Sequence, residues 1–270
     1  DKISLTAFGE LKDHFDSDKR IFSWKPLQWE DKEHSIRFKA SDGKENTEIT
    51  IPIDVNAVPV INDIEDKVVN QGNYLEFKVA ATDPDNAEDE LTYSTVSEVL
   101  DNNEYEASFN KNGDHIFRWQ TNEDTYGQYD VTFQVDDKDK EGNGGKATET
   151  VEILVNDIPH FDLILADGEE ISDNKVIYNV GVEKSFKIIA RDQDNNSLDI
   201  NIVDFYTDNE NSNMTQEKIE KHFTTNPENK SGKLSWAPVP GDEGLYSITF
   251  KVVDEHGASD VTNILLEVSN

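Results

Sequence analysis

The sequence predicts an all-β chain made of antiparallel β-sandwich modules joined end to end. Three observations carry that prediction. A block recurs three times in ungapped register: FSWKPLQWEDKEHSIRFKASD, FRWQTNEDTYGQYDVTFQVDD and LSWAPVPGDEGLYSITFKVVD. Trp24, Trp119 and Trp236 each stand 14 residues before a Phe (Phe38, Phe133, Phe250) and 18 before an Asp (Asp42, Asp137, Asp254). Such self-similarity marks a repeat array before any propensity is considered. Apolar residues also fall at every second position in YLEFKVA (residues 74–80) and YDVTFQV (residues 129–135), the period of a half-buried strand. Finally, the breakers DPDN, NKNGD, EDTYG and DKEGNGG punctuate these segments as turns. Turns roughly every 8–12 residues are the spacing of a sandwich.

The tryptophans lie 95 and then 117 positions apart. That is close to the roughly 100 residues of an immunoglobulin-like sandwich. Three modules follow: a partial one over residues 1–58 and complete ones over 59–158 and 159–270. In the first, Leu5-Thr6 aligns with Leu91-Thr92, so the strands equivalent to residues 74–80 and everything before them are missing. A sheet short of strands exposes unpaired edges. Two readings are open: the array continues upstream, or a partner chain donates a strand by β-augmentation. The chain begins at Asp1 with neither Met nor a signal-like segment, and reads as a processed or excerpted piece.

In the second module the expected strands are residues 74–80, 91–93, 116–119, 129–135 and 148–155. The third repeats its front without gaps, NQGNYLEFKVAATDPD against NVGVEKSFKIIARDQD, pairing Gly72 with Gly181, Phe77 with Phe186, Asp83 with Asp192 and Asp85 with Asp194. Before its Trp the third module carries an insertion, MTQEKIEKHF (residues 214–223), of helical composition with a polar start at Asn213 or Thr215. This predicts one short surface helix.

Composition excludes several roles. With 57 acidic against 25 basic residues the formal net charge is -32. Binding nucleic acid needs basic surface that releases counterions, so that partner class is excluded. An acidic field attracts cations and keeps molecules apart. Salt adaptation is a rival source of the acidity, but the basic residues are nearly all Lys, with Arg only at 20, 37, 118 and 191. The 270 residues contain no Cys, which removes disulfides and thiol chemistry. No run of 18 apolar residues exists, so no membrane insertion is expected within this segment.

The repeated block resembles the cadherin-like and Ig-type tandem repeats of large cell-surface proteins. Their pattern reads F-x-W-x-P, then G-x-Y-x-V-x-F-x-V-x-D-x-x-G, and residues 22–26 together with 244–254 and Gly257 reproduce it closely. The likeness extends over essentially the whole chain. Departures concentrate in the first module, where Lys32 replaces the turn Gly and His34 the Tyr, while Thr121 stands where Pro26 and Pro238 occur. The acidic tetrad that cadherins carry between middle strands is not clearly present in any module.

The resemblance implies calcium between consecutive modules. Calcium takes six to eight oxygen ligands, chiefly carboxylates and carbonyls. Candidate ligands at the second junction are Asn156, Asp157, Asp192, Asp194 and Asp254, with the linker VNDIP (residues 155–159) close to the family's N-D-x-x-P. At the first junction they are Asp54, Asn56, Asp83, Asp85 and Asp137, with Ala57 where the linker Asp is expected. The Asp-x-Asp pairs also read as ordinary polar turn tips. EF-hand geometry is excluded: the loop from Asp192 has Ser197 and Val203 where Gly and Glu are required, and the loop from Asp137 ends on Thr148.

The recurring Trp and Tyr read as sandwich core rather than sugar-stacking platforms. Trp29, unique to the first module, is either a surface contact or a filler of an atypical turn. No HExxH or GxSxG exists and the six His are scattered, so no enzyme is expected. Sequons at Asn195, Asn213 and Asn229 fit an exposed surface and nothing sharper. The expected function is an extracellular or cell-surface structural and adhesive stalk. Its partners are neighbouring modules of the same chain and a protein or glycan surface ligand, with self-association a further expectation. Two alternatives stand beside it: a self-assembling fibre subunit completed by strand exchange, and carbohydrate-binding accessory modules of a secreted enzyme.

Overall fold

The computed structural model describes residues 3–27, 33–84, 90–102, 104–138, 144–171, 173–194 and 197–270. Among them the regular structure is almost entirely strand, and the repeat seen in sequence returns as repeated sheets. It divides into two compact units, one of Asp1–Glu65, Glu76–Trp119 and Asp130–Val151, the other of Asp66–Leu75, Gln120–Tyr129 and Glu152–Asn270. The division passes through the strands Gly127–Asp136 and Lys146–Asn156, so compactness and sequence repeat do not share boundaries.

In the first unit, Ser4–Phe8, His34–Ser41 and Asn46–Ile53 form a three-stranded antiparallel sheet in that order. A small hairpin pairs Phe15–Asp16 with Ile21–Phe22 and lays Phe15 edge-on against Phe38 at 5.0 Å. Trp24 is half-buried and meets His34 edge-on at 4.8 Å, which shows how the first module tolerates His where its sisters have Tyr. Trp29 and Lys32 lie outside the described residues. Also in this unit, Thr92–Val96 pairs antiparallel with residues 132–136, and Phe77, Phe109 and Phe117 gather on Phe133 at centroid distances of 5.2–6.1 Å.

The second unit holds the more complete sandwich. One sheet runs Glu169–Glu170, His160–Ala166, Lys184–Arg191, Ser231–Trp236, Phe223–Asn226; the other runs Lys175–Asn179, Ser259–Ser269, Gly244–Val253, Asp199–Thr207. Alternation drives the burial: in Gly244–Val253 every second side chain from Tyr246 to Val252 faces a core shared with Phe186, Ile188, Leu234 and Trp236. The Tyr178 hydroxyl is driven above its usual pKa by that burial, and Tyr246 likewise. Gly181 adopts φ +80, a left-handed turn conformation that a glycine accepts without steric cost. Its repeat partner Gly72, at φ +71, does the same.

Two features go beyond the sequence expectation. Within the antiparallel sandwiches, Lys67–Asn70 and Lys175–Asn179 run parallel to Lys146–Asn156 and Ser259–Ser269, the strands they pair with. The reason lies in direction: a short strand entering from the linker crosses to the other sheet before reversing, and four or five residues give too little pattern to read. The inserted helix is Gln216–Glu220, shorter than residues 214–223, because Phe223 already begins the strand Phe223–Asn226. Thr215 caps it by accepting from Lys218 N, as its sequence suggested. Ile219 is fully buried, so the helix is pinned to the core rather than lying free on the surface.

Candidate metal centre at the linkers

The invariant Asp at the end of each block closes the turn that follows it. Asp42, Asp137 and Asp254 donate their backbone N–H to the carbonyls of Glu45, Gly145 and Ala258 at 3.3, 3.3 and 3.0 Å. Their Oδ1 atoms accept in return from the N–H of the same residues, at 2.8, 2.7 and 2.8 Å. Asp suits this place because its short carboxylate reaches backbone donors a few residues ahead. At Asp42 these donors, Glu45 N first and Lys44 N second, hold the carboxyl below its usual pKa.

The second oxygen is where the linkers attach. Asn56 Nδ2 donates to Asp137 Oδ2 at 2.7 Å, and Asn156 Nδ2 donates to Asp254 Oδ2 at 2.8 Å. Both linkers therefore anchor to the same kind of Asp through the same kind of Asn. Asn156 is fully buried and reaches Asn70 Oδ1 as well, at 3.1 Å. Gln71, itself buried, adds a further tie: its N–H donates to the Asn156 carbonyl at 2.9 Å and its Oε1 accepts from Ile158 N at 3.3 Å.

The second linker carries a further attachment. Asp157 N donates to Asp194 Oδ2 at 2.8 Å, while Asp157 Oδ2 accepts from Gln193 N at 2.6 Å. This reciprocal clasp binds the linker to the loop after Lys184–Arg191, and it needs an Asp at 157. In the first linker the equivalent Ala57 is buried and has no carboxylate to offer.

Thus the structure brings Asn156, Asp157, Asp194 and Asp254 into one hydrogen-bonded region, with Asp192 buried in the same loop. At the first junction it brings together Asn56 and Asp137. Asp54 is exposed there, Asp83 is half-buried, and Asp85 lies outside the described residues. Among the described residues no group of three or more His, Asp or Glu side chains is set to hold a metal ion. One observation does fit a cation: Asp194 Oδ1 is buried with no hydrogen-bond partner among the described residues. Asp157 and Asp254 are buried too, and no basic side chain pairs with either among the described residues. Hard oxygen donors of this kind suit calcium, and an ion would satisfy the orphaned oxygen.

The Asp residues and the linker Asn residues were visible in the sequence as oxygen donors; in the structure Asn56 and Asn156 also donate through the amide nitrogen, to Asp137 and Asp254. Gln71, the other linker tie, carries no motif and follows only from packing.

Residues 56–154 match the family described as Bacterial Ig domain. A comparison with curated proteins finds no match. Among solved structures, three titin domains, I67–I69 in an E-to-A variant, align over 91% of this chain and 77% of theirs, with TM-score 0.49 and 12% identity. Drosophila OTK extracellular domains 3–5 align over 87% and 71%, with TM-score 0.49 and 11% identity. The human Desmocollin-1 ectodomain aligns over 100% and 56%, with TM-score 0.43 and 15% identity. No helix of the described residues is long and apolar enough to cross a membrane. The described residues form antiparallel-rich β-sheets that recur along the chain, and residues 56–154 match the bacterial Ig domain family.

Proposed function

We propose that this chain is a non-catalytic stalk of an extracellular or cell-surface protein, with modules at 1–58, 59–158 and 159–270 and calcium acting at the linkers. The observation that carries the reading is the anchoring of both linkers to a strand-exit Asp, Asn56 on Asp137 and Asn156 on Asp254. A linker fastened by hydrogen bonds, buried at Asn156 and half-buried at Asn56, transmits load and direction, which a spacer requires and a flexible tether does not. The formal charge of -32 keeps such a stalk soluble and raises cation concentration at its surface.

Asp157, Asp192, Asp194 and Asp254 would hold the ion at the second junction, and Asp54, Asp83, Asp85 and Asp137 at the first. Calcium supplies positive charge that offsets the gathered carboxylates. Free calcium at 100 times its dissociation constant adds about 2.7 kcal/mol of stability by linkage.

Calorimetric titration of calcium into the whole chain, beside thermal unfolding with calcium and with chelator, tests this. The expected result is binding heat and a midpoint several degrees higher, both lost in Asp194→Asn plus Asp192→Asn. No heat and no shift would leave a stalk held by hydrogen bonds alone.

A further inference from the structure

Beside the strand Lys67–Asn70 lies an open pocket of about 600 Å³, lined by Val68, Val69, Asn70, Asn73, Tyr74 and His256, all within the second compact unit. That volume falls in the range of roughly 300–1,000 Å³ usual for small-ligand sites. Two turns frame it. Asn73 N donates to the Asn70 carbonyl at 3.1 Å, with Gly72 at φ +71, and this turn leads into Tyr74 at the start of the strand Tyr74–Lys78. In the other turn His256 N donates to Asp254 Oδ1 at 2.9 Å, and Gly257 N to the Asp254 carbonyl at 3.3 Å. Both turns are closed by hydrogen bonds, so the walls are set before any ligand arrives.

The lining combines apolar surface with polar groups that have nothing to bond. Val68 and Tyr74 are 54% and 52% exposed, which puts an aliphatic side chain and an aromatic ring in the open. Asn70 Oδ1 is taken by Asn156 Nδ2 at 3.1 Å, leaving Asn70 Nδ2 a donor without partner among the described residues. The side-chain amide of Asn73 and the imidazole of His256 likewise bond to nothing among those residues. The turn itself does not ask for these side chains. In the third module Val182 N donates to the Asn179 carbonyl at the same 3.1 Å, with Gly181 at φ +80. Yet Val182 and Glu183 stand there in place of Asn73 and Tyr74.

We propose that this pocket binds a sugar unit of a neutral glycan, with the Tyr74 ring against the apolar face of the sugar and Asn70, Asn73 and His256 bonding its hydroxyls. A pyranose presents C–H groups on its faces and hydroxyls around its rim. An exposed aromatic ring flanked by side-chain amides matches both, since the ring offers a flat apolar surface and an amide can donate or accept. Charge selects the class of glycan. The lining holds no Lys or Arg, and a molecule at -32 repels acidic polysaccharides. The carboxylates of Asp157, Asp192, Asp194 and Asp254 do not line the pocket, so sugar binding here does not rest on an ion at the linker.

Calorimetric titration of the whole chain with cellotetraose, mannotetraose, galactotetraose and N-acetylchitotetraose, beside the acidic tetragalacturonate, tests this. The expected result is saturable heat from at least one neutral probe at millimolar concentration and none from tetragalacturonate. Tyr74→Ala should weaken that binding at least tenfold, and Asn73→Val with Tyr74→Glu, the residues of the sister turn, should abolish it. Tyr74→Phe should leave it unchanged, as should Tyr206→Ala, which removes an exposed tyrosine from the strand Asp199–Thr207. Unchanged thermal midpoints in these variants separate lost binding from lost fold. Absence of heat from every neutral probe overturns the proposal. So does binding that survives Tyr74→Ala, that is lost in Tyr206→Ala, or that favours tetragalacturonate.

Discussion

Asn156 is the residue on which the second linker turns. It is fully buried, and its amide nitrogen is a donor to Asp254 Oδ2. Removing one partner of a buried charge-assisted bond leaves the other desolvated, at about 1–3 kcal/mol. Asn156→Ala should lower stability by that amount in urea unfolding, with the loss visible as a lower midpoint. Asn56 is only half-buried, so water can replace its amide at Asp137, and Asn56→Ala should cost below about 1 kcal/mol. The acidic half of this pair was legible in sequence as the invariant last residue of each block. The Asn half was visible in both linkers, but its role was not, because an Asn offers oxygen or nitrogen and only the neighbouring acceptor decides.

Among elements, the turn after Gly127–Asp136 couples tightly to the first linker. A Cβ added at Gly145 would stand 3.0 Å from Val58 Cα and 3.2 Å from Asp137 Oδ2. Backbone gives way less readily than a side-chain tip, so Gly145→Ala should destabilise by about 1–3 kcal/mol as measured by thermal unfolding. The helix Gln216–Glu220 depends on one side chain in the same way. Five residues cannot sustain a helix by propensity, and Ile219 provides the burial that holds it. Ile219→Ala should cost about 2–5 kcal/mol. Capping was readable from Thr215, while the helix end was not, because MTQEKIEKHF stays helical in composition up to Phe223, where strand pairing with Leu234 overrides it. The long alternating strands were legible for the opposite reason: Gly127–Asp136 and Gly244–Val253 carry ten residues of unbroken period, enough to fix type and buried face. Lys67–Asn70 and Lys175–Asn179 are too short for that, and their parallel direction is set by tertiary pairing.

For the whole molecule, stability should be bounded on both sides of neutral pH. Asp42, Asp114 and Asp136 have folded pKa values below the usual 3.8, through backbone N–H donors at Asp42 and Asp136 and through Arg118 at Asp114. Their contribution is full above that value and is lost as pH falls through the lower folded values, so unfolding free energy should fall as pH drops below about 4. Tyr178 and Tyr246 are raised by burial from 10.0, so their contribution is full below pH 10.0 and should fall away as pH rises beyond it. Urea midpoints from pH 2 to 11 check both limbs.

The second linker is fastened to the sandwich rather than hanging loose. Amide exchange of Asp157, Ile158 and Gln193 reads it directly, since their N–H groups are bonded to Asp194, Gln71 and Asp157 in turn. Protection well above that of the exposed turns, present without calcium and lost in Asn156→Ala, is the expected result. Exchange of these three amides at the rate of an open loop would mean that the linker is not fastened.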